Sequence, residues 1–202
     1  MNKKSSFKTD LAKERKLTPL LDSYYSLHLK NYSFERVSSL KEQLEGVDVN
    51  FIHKTNSTLF HVDEKAQLDY INDDLPTFAF EISYYKNELQ KEGWFYDSNK
   101  KTHFYALITA IYDDDETLFT SCKITLVNRK KLQLILVKKG LDYNMLNSQY
   151  HKNSHGKICI DELDCREQGY LFLSQKNKAE KPLNLILKLE WLLKLGVAKR
   201  LV

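Results

Sequence analysis

Two short stretches in which apolar residues recur at every second position, separated by a polar turn, constrain this chain more than any other feature. In the first, Val47, Val49 and Phe51 alternate with Asp48 and Asn50 directly after Gly46. A period of two is that of a half-buried β-strand, and Lys54 to Ser57 supplies the turn. In the second, Leu59 to Tyr70, the residues Phe60, Val62, Ala66 and Leu68 share one face, and Asp63, Lys65, Gln67 and Asp69 share the other. Pairing of the two strands brings the Asp48 carboxylate beside that of Asp63, with Lys65 on the same face.

Two adjacent carboxylates invite a divalent cation. Magnesium prefers oxygen ligands, keeps several waters and is commonly held by one or two carboxylates together with substrate phosphate oxygens. A lysine beside such a site can orient the attacking water and stabilise charge developing on a phosphate, while the metal lowers the water's pKa. Asp48, Asp63 and Lys65 therefore read as a phosphodiester-cleaving centre. The plain alternative is a surface ion-pair cluster, since an aspartate two residues before a lysine is a common string.

The remaining chain reads as alternating helices and strands. Leu17 to Leu29 has helical spacing, and Val37, Leu40 and Leu44 predict a helix over Phe34 to Glu45 stopped by Gly46. Thr77 to Tyr85, His103 to Tyr112, Leu118 to Val127 and a short stretch near Gly169 to Leu173 predict strands. A helix over Arg129 to Lys139 is capped by Asn128 and closed by Gly140, and Pro182 opens a last helix through LNLILKLEWLLKL. The expected class is α/β (α+β), a mixed central sheet flanked by helices. Trp94, Phe95, Phe104 and Tyr105 are read as packing residues rather than stacking platforms.

Composition bounds the function. With only 6 Gly and 3 Pro there is little material for linkers, so residues 1–202 are expected to form one domain with a polar lead-in and a C-terminal helix. The net charge of +4 is too small to identify a nucleic-acid partner. Basic residues gather near the N-terminus (Lys3, Lys4, Lys8, Lys13), at Arg129 to Lys131 and from Lys176 to Arg200, and acids at Asp113 to Glu116, mostly as solvated faces. Three cysteines, Cys122, Cys159 and Cys165, with no CxxC pair, argue against disulfides and for a reducing, cytoplasmic setting. No apolar run is long enough for a membrane span. His151, His155, Cys159 and Cys165 have zinc-compatible chemistry, but their spacing argues against structural zinc. No phosphate-binding loop, dinucleotide fingerprint or nucleophile elbow occurs, so no nucleotide cofactor is expected.

At GVDVNF and HVDEKAQ the sequence resembles the PD-(D/E)xK nuclease superfamily, the restriction endonuclease-like enzymes. The wider stretch from QLEGVDV through VDEKAQLDYIN and LPTFAFEIS to GWFYD and THFYALI is similar to uncharacterised bacterial and phage members. The resemblance implies an αβββαβ core with Asp48 as the lone acid of the second strand, Asp63 as the (D/E) and Lys65 as the lysine. It implies Mg2+, or Mn2+ in its place, held by Asp48, Asp63 and the Glu64 backbone carbonyl. The substrate it implies is nucleic acid, read here as DNA, cut by an endonuclease that would act as a homodimer if it cuts both strands. An RNA-directed nuclease and a non-catalytic nuclease-fold binding protein of a phage or mobile-element system are the alternatives.

Superfamily members often place an acid or amide near the metal from the first core helix, for which Glu35, Glu42 and Gln43 are candidates. Gln67 either touches substrate or serves as a surface polar group, and Glu81 is either an extra acid or a structural partner. Glu64 departs from the superfamily pattern, which is usually apolar there. A carboxylate on the face of Val62 and Ala66 needs a partner, and a basic residue of a covering helix is expected to supply it.

Overall fold

The computed structural model describes residues 7–114, 118–152, 154–176 and 180–202. Lys3, Lys4, Asp115, Glu116 and Lys178 of the charge clusters lie outside them. In chain order the elements begin α1 (Phe7–His28), β1 (Tyr32–Arg36), α2 (Leu40–Leu44), β2 (Val49–His53) and β3 (Leu59–Ala66). There follow β4 (Thr77–Lys86), β5 (Leu89–Glu92), β6 (Phe104–Asp113), β7 (Phe119–Asn128), α3 (Arg129–Lys138) and α4 (Tyr143–Lys152). The last are β8 (Gly156–Ile158), β9 (Gly169–Leu173), β10 (Leu183–Lys188), α5 (Leu189–Lys194) and β11 (Ala198–Arg200). The class is mixed α and β, with two sheets and, among the described residues, five helices. None of these helices is long and apolar enough to cross a membrane.

The chain forms two compact units. The first is built from the described parts of Met1–Leu75, Lys100–Asn128 and Ala198–Val202, the second from Pro76–Asn99 and Arg129–Val197. The chain passes between them without any glycine- or proline-rich linker, which is why composition carried no sign of the division.

In the first unit the sheet runs β1-β2-β3-β6-β7-β11. All neighbours are antiparallel except β3 and β6, which are parallel with Val62 opposite Phe104 and Lys65 opposite Leu107. Parallel neighbours require a long crossover, and here that crossover carries β4 and β5 of the second unit. Helix α1 places Leu17, Leu21, Tyr25 and, just beyond it, Leu29 at four-residue spacing, all buried with Val49, Phe51, Val62, Ala106 and Ile108. The apolar face of β2 and β3 and the stripe of α1 thus form one core.

The second unit is an antiparallel sheet, β5-β4-β10-β9-β8. Phe78, Phe80 and Ile82 of β4 and Leu183, Leu185 and Leu187 of β10 are buried, with Phe80 opposite Leu185. Gly93 lies against this strand. Its N–H donates to the Ile82 carbonyl at 2.7 Å, and a Cβ there would stand 2.3 Å from the Glu81 carbonyl oxygen.

Several sequence expectations are corrected. The helix over Phe34 to Glu45 is strand β1 followed by the short α2, because Tyr32, Phe34 and Arg36 alternate inward and pair with β2. Leu40 and Leu44, which suggested a buried stripe, are 69% and 68% exposed. The strand over Leu59 to Tyr70 ends at Ala66. The final helix is strand β10 plus the six-residue α5, since leucine at alternate positions suits a strand as well as a helix. Helix α4 was not foreseen.

Cys159 and Cys165 form a disulfide with Cα atoms 5.7 Å apart, contrary to the expectation from cysteine number. The turn at Asp164, whose carboxylate accepts the Arg166 and Glu167 N–H groups at 2.8 Å, folds the segment so that the two meet. Cysteine usage therefore no longer argues for a reducing compartment. The two sulfurs of the zinc-compatible set are bonded to each other.

Replacing Gly93 by alanine is expected to cost about 1–3 kcal/mol through backbone overlap. Urea denaturation should show the lowered midpoint. Gly140→Ala, at φ +81° but with nothing within 4 Å of the new Cβ, should cost only about 1 kcal/mol.

Candidate functional site

The site forms where α2 hands the chain to β2. Gly46, at φ +78°, turns the backbone after α2, and its carbonyl accepts the Thr102 hydroxyl at 2.8 Å. A side chain at this position would meet Thr102 Oγ1 at 2.5 Å and Asp63 Oδ2 at 3.3 Å. Glycine is thus required both by the backbone angle and by the approach of the Asp63 carboxylate. Lys100, whose Nζ donates to the Leu44 carbonyl at 2.7 Å, lies against the same glycine.

Asp48 stands one residue ahead of β2 and is fastened three ways. Its N–H donates to Val62 O at 2.9 Å, its carbonyl accepts from Val37 N at 3.0 Å, and its Oδ2 accepts the Glu64 N–H at 2.8 Å. The Asp48 side chain thus takes the Glu64 N–H just beyond the paired stretch of β2 and β3, while its carbonyl serves the other side of the strand. This holds the carboxylate flat against β3.

Strand alternation places Asp63 and Lys65 on this face, as expected. Asp63 is 2% exposed, and its Oδ1 accepts from Lys65 Nζ at 2.6 Å. Burial raises the Asp48 pKa to about 7, and the charge of Asp63 adds to it; Lys65 and the Glu64 amide only partly offset these effects. The two carboxyl groups are close enough to hydrogen bond when one is protonated. Burial pulls the Lys65 pKa down, but Asp63, Asp48 and Glu14 together outweigh it and the net shift is upward. Lys65 is therefore an ammonium.

Glu64 points to the opposite face, so it can act at the carboxylates only through its backbone. Its Oε1 accepts from the Tyr25 hydroxyl at 2.7 Å and its Oε2 pairs with Arg36, which also binds Asp22 at 2.7 Å. A partner was expected from a basic residue of the covering helix. The helix instead supplies a phenol and an acid, and the guanidinium comes from β1. Burial and the Glu64 charge keep the Tyr25 hydroxyl protonated, and the same two causes push the Cys122 thiol up to about 12.

The accessory candidates scatter. Glu35 is exposed on β1 opposite Asn50, and Glu42 is exposed on α2. Gln43 donates to Val37 O at 2.9 Å and so steadies the residue whose N–H holds Asp48. Gln67 follows β3, with its N–H on Ile108 O at 3.0 Å. Glu81 belongs to β4 of the second unit. Sequence reasoning missed Glu14 on α1, whose charge reaches Lys65, because it placed the first helix too late.

It also missed a polar pair one pleat away on the same face, Asn50 and His61, with His103 beside them. His61 and His103 stack with centroids 5.0 Å apart and planes within 7°. His61 Nδ1 lies 2.8 Å from Asn50 Oδ1, and His103 Nδ1 accepts the His61 N–H at 2.9 Å. Burial and the neighbouring His61 lower the His103 pKa.

Compared with known protein families, curated proteins and solved structures, the chain matches none of them.

What the site can do follows from its charges. Two carboxyl groups lie side by side with the Lys65 ammonium bonded to Asp63, and burial, joined by the Asp63 charge, favours a proton on Asp48. Among the described residues no three His, Cys, Asp or Glu side chains converge. A cation here would have two carboxylates plus backbone and water oxygens, a set that suits magnesium.

The raised pKa has a thermodynamic sign. The folded state keeps the Asp48 proton to about pH 7, whereas the unfolded chain releases it near 3.8. Stability is therefore fullest below the unfolded value and falls as pH rises between the two. Asp48→Asn should raise the Tm of the metal-free protein at pH 8 by roughly 2–4 °C for each kcal/mol relieved. The gain should disappear by pH 4 in a melting series.

Proposed function

We propose that the first unit carries a magnesium-dependent nuclease centre of the PD-(D/E)xK type, acting on DNA as an endonuclease. The observation that carries this reading is geometric: Asp48, fixed on the Glu64 amide at 2.8 Å, stands beside Asp63, and Lys65 lies on the same face bonded to Asp63 at 2.6 Å, while burial, joined by the Asp63 charge, favours a proton on Asp48. The order of α1, three antiparallel strands β1 to β3 and a further strand β6 parallel to β3 supports it. One departure is that strands β4 and β5, rather than a helix, lie between β3 and β6.

Asp48, Asp63 and the Glu64 carbonyl would hold the ion, with manganese able to replace magnesium. The bound ion would supply Lewis-acid polarisation of the phosphate and a water of lowered pKa. The chain's own residues account for the rest. The Glu64 amide fixes the Asp48 carboxylate, while Gly46 admits that of Asp63. Lys65 Nζ has three donors, so its bond to Asp63 is compatible with a second to the attacking water or to a phosphate oxygen. No nucleotide cofactor enters the reading.

A second reading rests on the Lys65 to Asp63 bond of 2.6 Å. A lysine that neutralises the acid permanently would make the unit a non-catalytic nuclease-fold binding protein. Calorimetry separates the two, since that protein takes up no magnesium at millimolar concentration.

The nuclease reading predicts cleavage in magnesium or manganese and binding without turnover in calcium. Asp63→Ala and Lys65→Ala should each lower the rate by at least about a hundredfold while far-ultraviolet circular dichroism stays unchanged. Cleavage persisting in both variants would sink the assignment. Single- and double-stranded DNA and RNA, assayed side by side, identify the substrate. Because the ion competes with the Asp48 proton, the Tm gain from magnesium should be larger at pH 8 than at pH 6.

A further inference from the structure

The row Glu35, Asn50 and His61 crosses β1, β2 and β3 on the face that bears Asp48 and Asp63, and His103, the residue before β6, lies at its end with its ring stacked on His61 and edge-on to Phe60. Glu35 stands opposite Asn50 and Asn50 opposite His61. His103 donates its N–H to the His61 carbonyl at 2.9 Å. His61 lies two residues before Asp63, which on an extended strand is a displacement of ~6.6 Å. That is of the order of one nucleotide step along an extended phosphodiester chain.

The tautomer of His103 follows from its partner. A backbone N–H can only donate, so His103 Nδ1, 2.9 Å from the His61 nitrogen, is an acceptor and bears no proton. The proton of the neutral ring then sits on Nε2, on an exposed residue. Stacking on His61, itself held by Asn50, restricts rotation of the ring. The result is a preorganised, uncharged donor beside His61, the residue two positions before Asp63 on the same strand. Glu35 puts an exposed carboxylate at the far end of the row, so an anion approaches at the His103 end.

We infer that His103, positioned by His61 and Asn50, binds the phosphate next to the scissile one through its Nε2–H. The inference rests on the nuclease reading of Asp48, Asp63 and Lys65. It assigns the substrate path a direction, from the carboxylates toward the start of β6. It also assigns that contact a neutral chemistry, distinct from a lysine or arginine clamp.

Two substitutions separate contact from scaffolding. Asparagine can place Oδ1 where His103 Nδ1 accepts the His61 N–H, but it has nothing at the Nε2 position. Glutamine carries a donor near that position. Binding is read by fluorescence anisotropy of a labelled DNA duplex in calcium, and turnover is read in magnesium. His103→Asn is expected to weaken binding about tenfold, with the loss in KM rather than kcat, and His103→Gln to stay within about twofold of the unaltered protein. The slope of log Kd against log salt should be unchanged, because that slope counts cationic contacts.

Equal binding by all three proteins overturns the inference, and equal losses in both variants overturn it as well. A shallower salt slope in His103→Asn also overturns it, since that marks a charged contact. The two readings fail separately. Intact cleavage with no effect of His103→Asn removes the phosphate contact and keeps the nuclease. Weakened binding in His103→Asn alone, with no cleavage by the unaltered protein, keeps the contact and removes the nuclease.

Discussion

A β-strand sends successive side chains to opposite faces, and at Asp63, Glu64 and Lys65 that rule puts three charges through one sheet in three steps. Two of them face the carboxylate site, and the third enters the apolar core of the first unit. The arrangement holds because Glu64 is engaged on both sides. Its amide binds the Asp48 carboxylate, while its own carboxylate binds Tyr25 of α1 and Arg36 of β1. Helix, edge strand and site are thereby tied to one residue, and movement of α1 would be felt at Asp48. A buried acid with a phenol and a guanidinium is costly to disrupt on one side only.

The same alternation explains why the site is strained in charge rather than in backbone. Asp48 and Asp63 come together because their strands pair, and the core behind them prevents separation. Relief is available from a proton, from Lys65 or from a cation. Burial and the Asp63 charge favour the proton on Asp48, and the Lys65 ammonium is bonded to Asp63, so the chain's own groups supply the first two.

Much of the site was legible because it depends on local periodicity. Asp63 and Lys65 lie on β3, which a tight turn joins to β2, and Asp48 stands one residue ahead of β2, so alternation along the two runs fixes their faces. The partners of Glu64 were less legible, since Tyr25 and Arg36 are distant in sequence and their meeting depends on how α1 crosses the sheet. The helix expected over Phe34 to Glu45 failed because Val37, Leu40 and Leu44 fit a helical period, while pairing with β2 decided the outcome for Tyr32 to Arg36. The Glu35, Glu42 and Gln43 candidates inherited that error, and Glu14 was passed over for the same reason. The disulfide and the division into two units were invisible because both depend on chain return rather than on composition.

The sheet order has a consequence for how the chain reaches this state. Strand β6 joins β3 only after the chain has been through β4 and β5, and β10, the central neighbour of β4, comes later than every other strand of its sheet. Strand β11, at residues 198–200, then completes the edge of the first sheet. The second sheet is incomplete until β10, residues 183–188, has been made and the first until β11, so both expose unpaired edges through most of synthesis. Non-local pairing of this kind slows folding and leaves strand edges open to association. The carboxylate pair, by contrast, sits on a hairpin whose strands are close in sequence, so its acids can meet long before the sheet around them is finished.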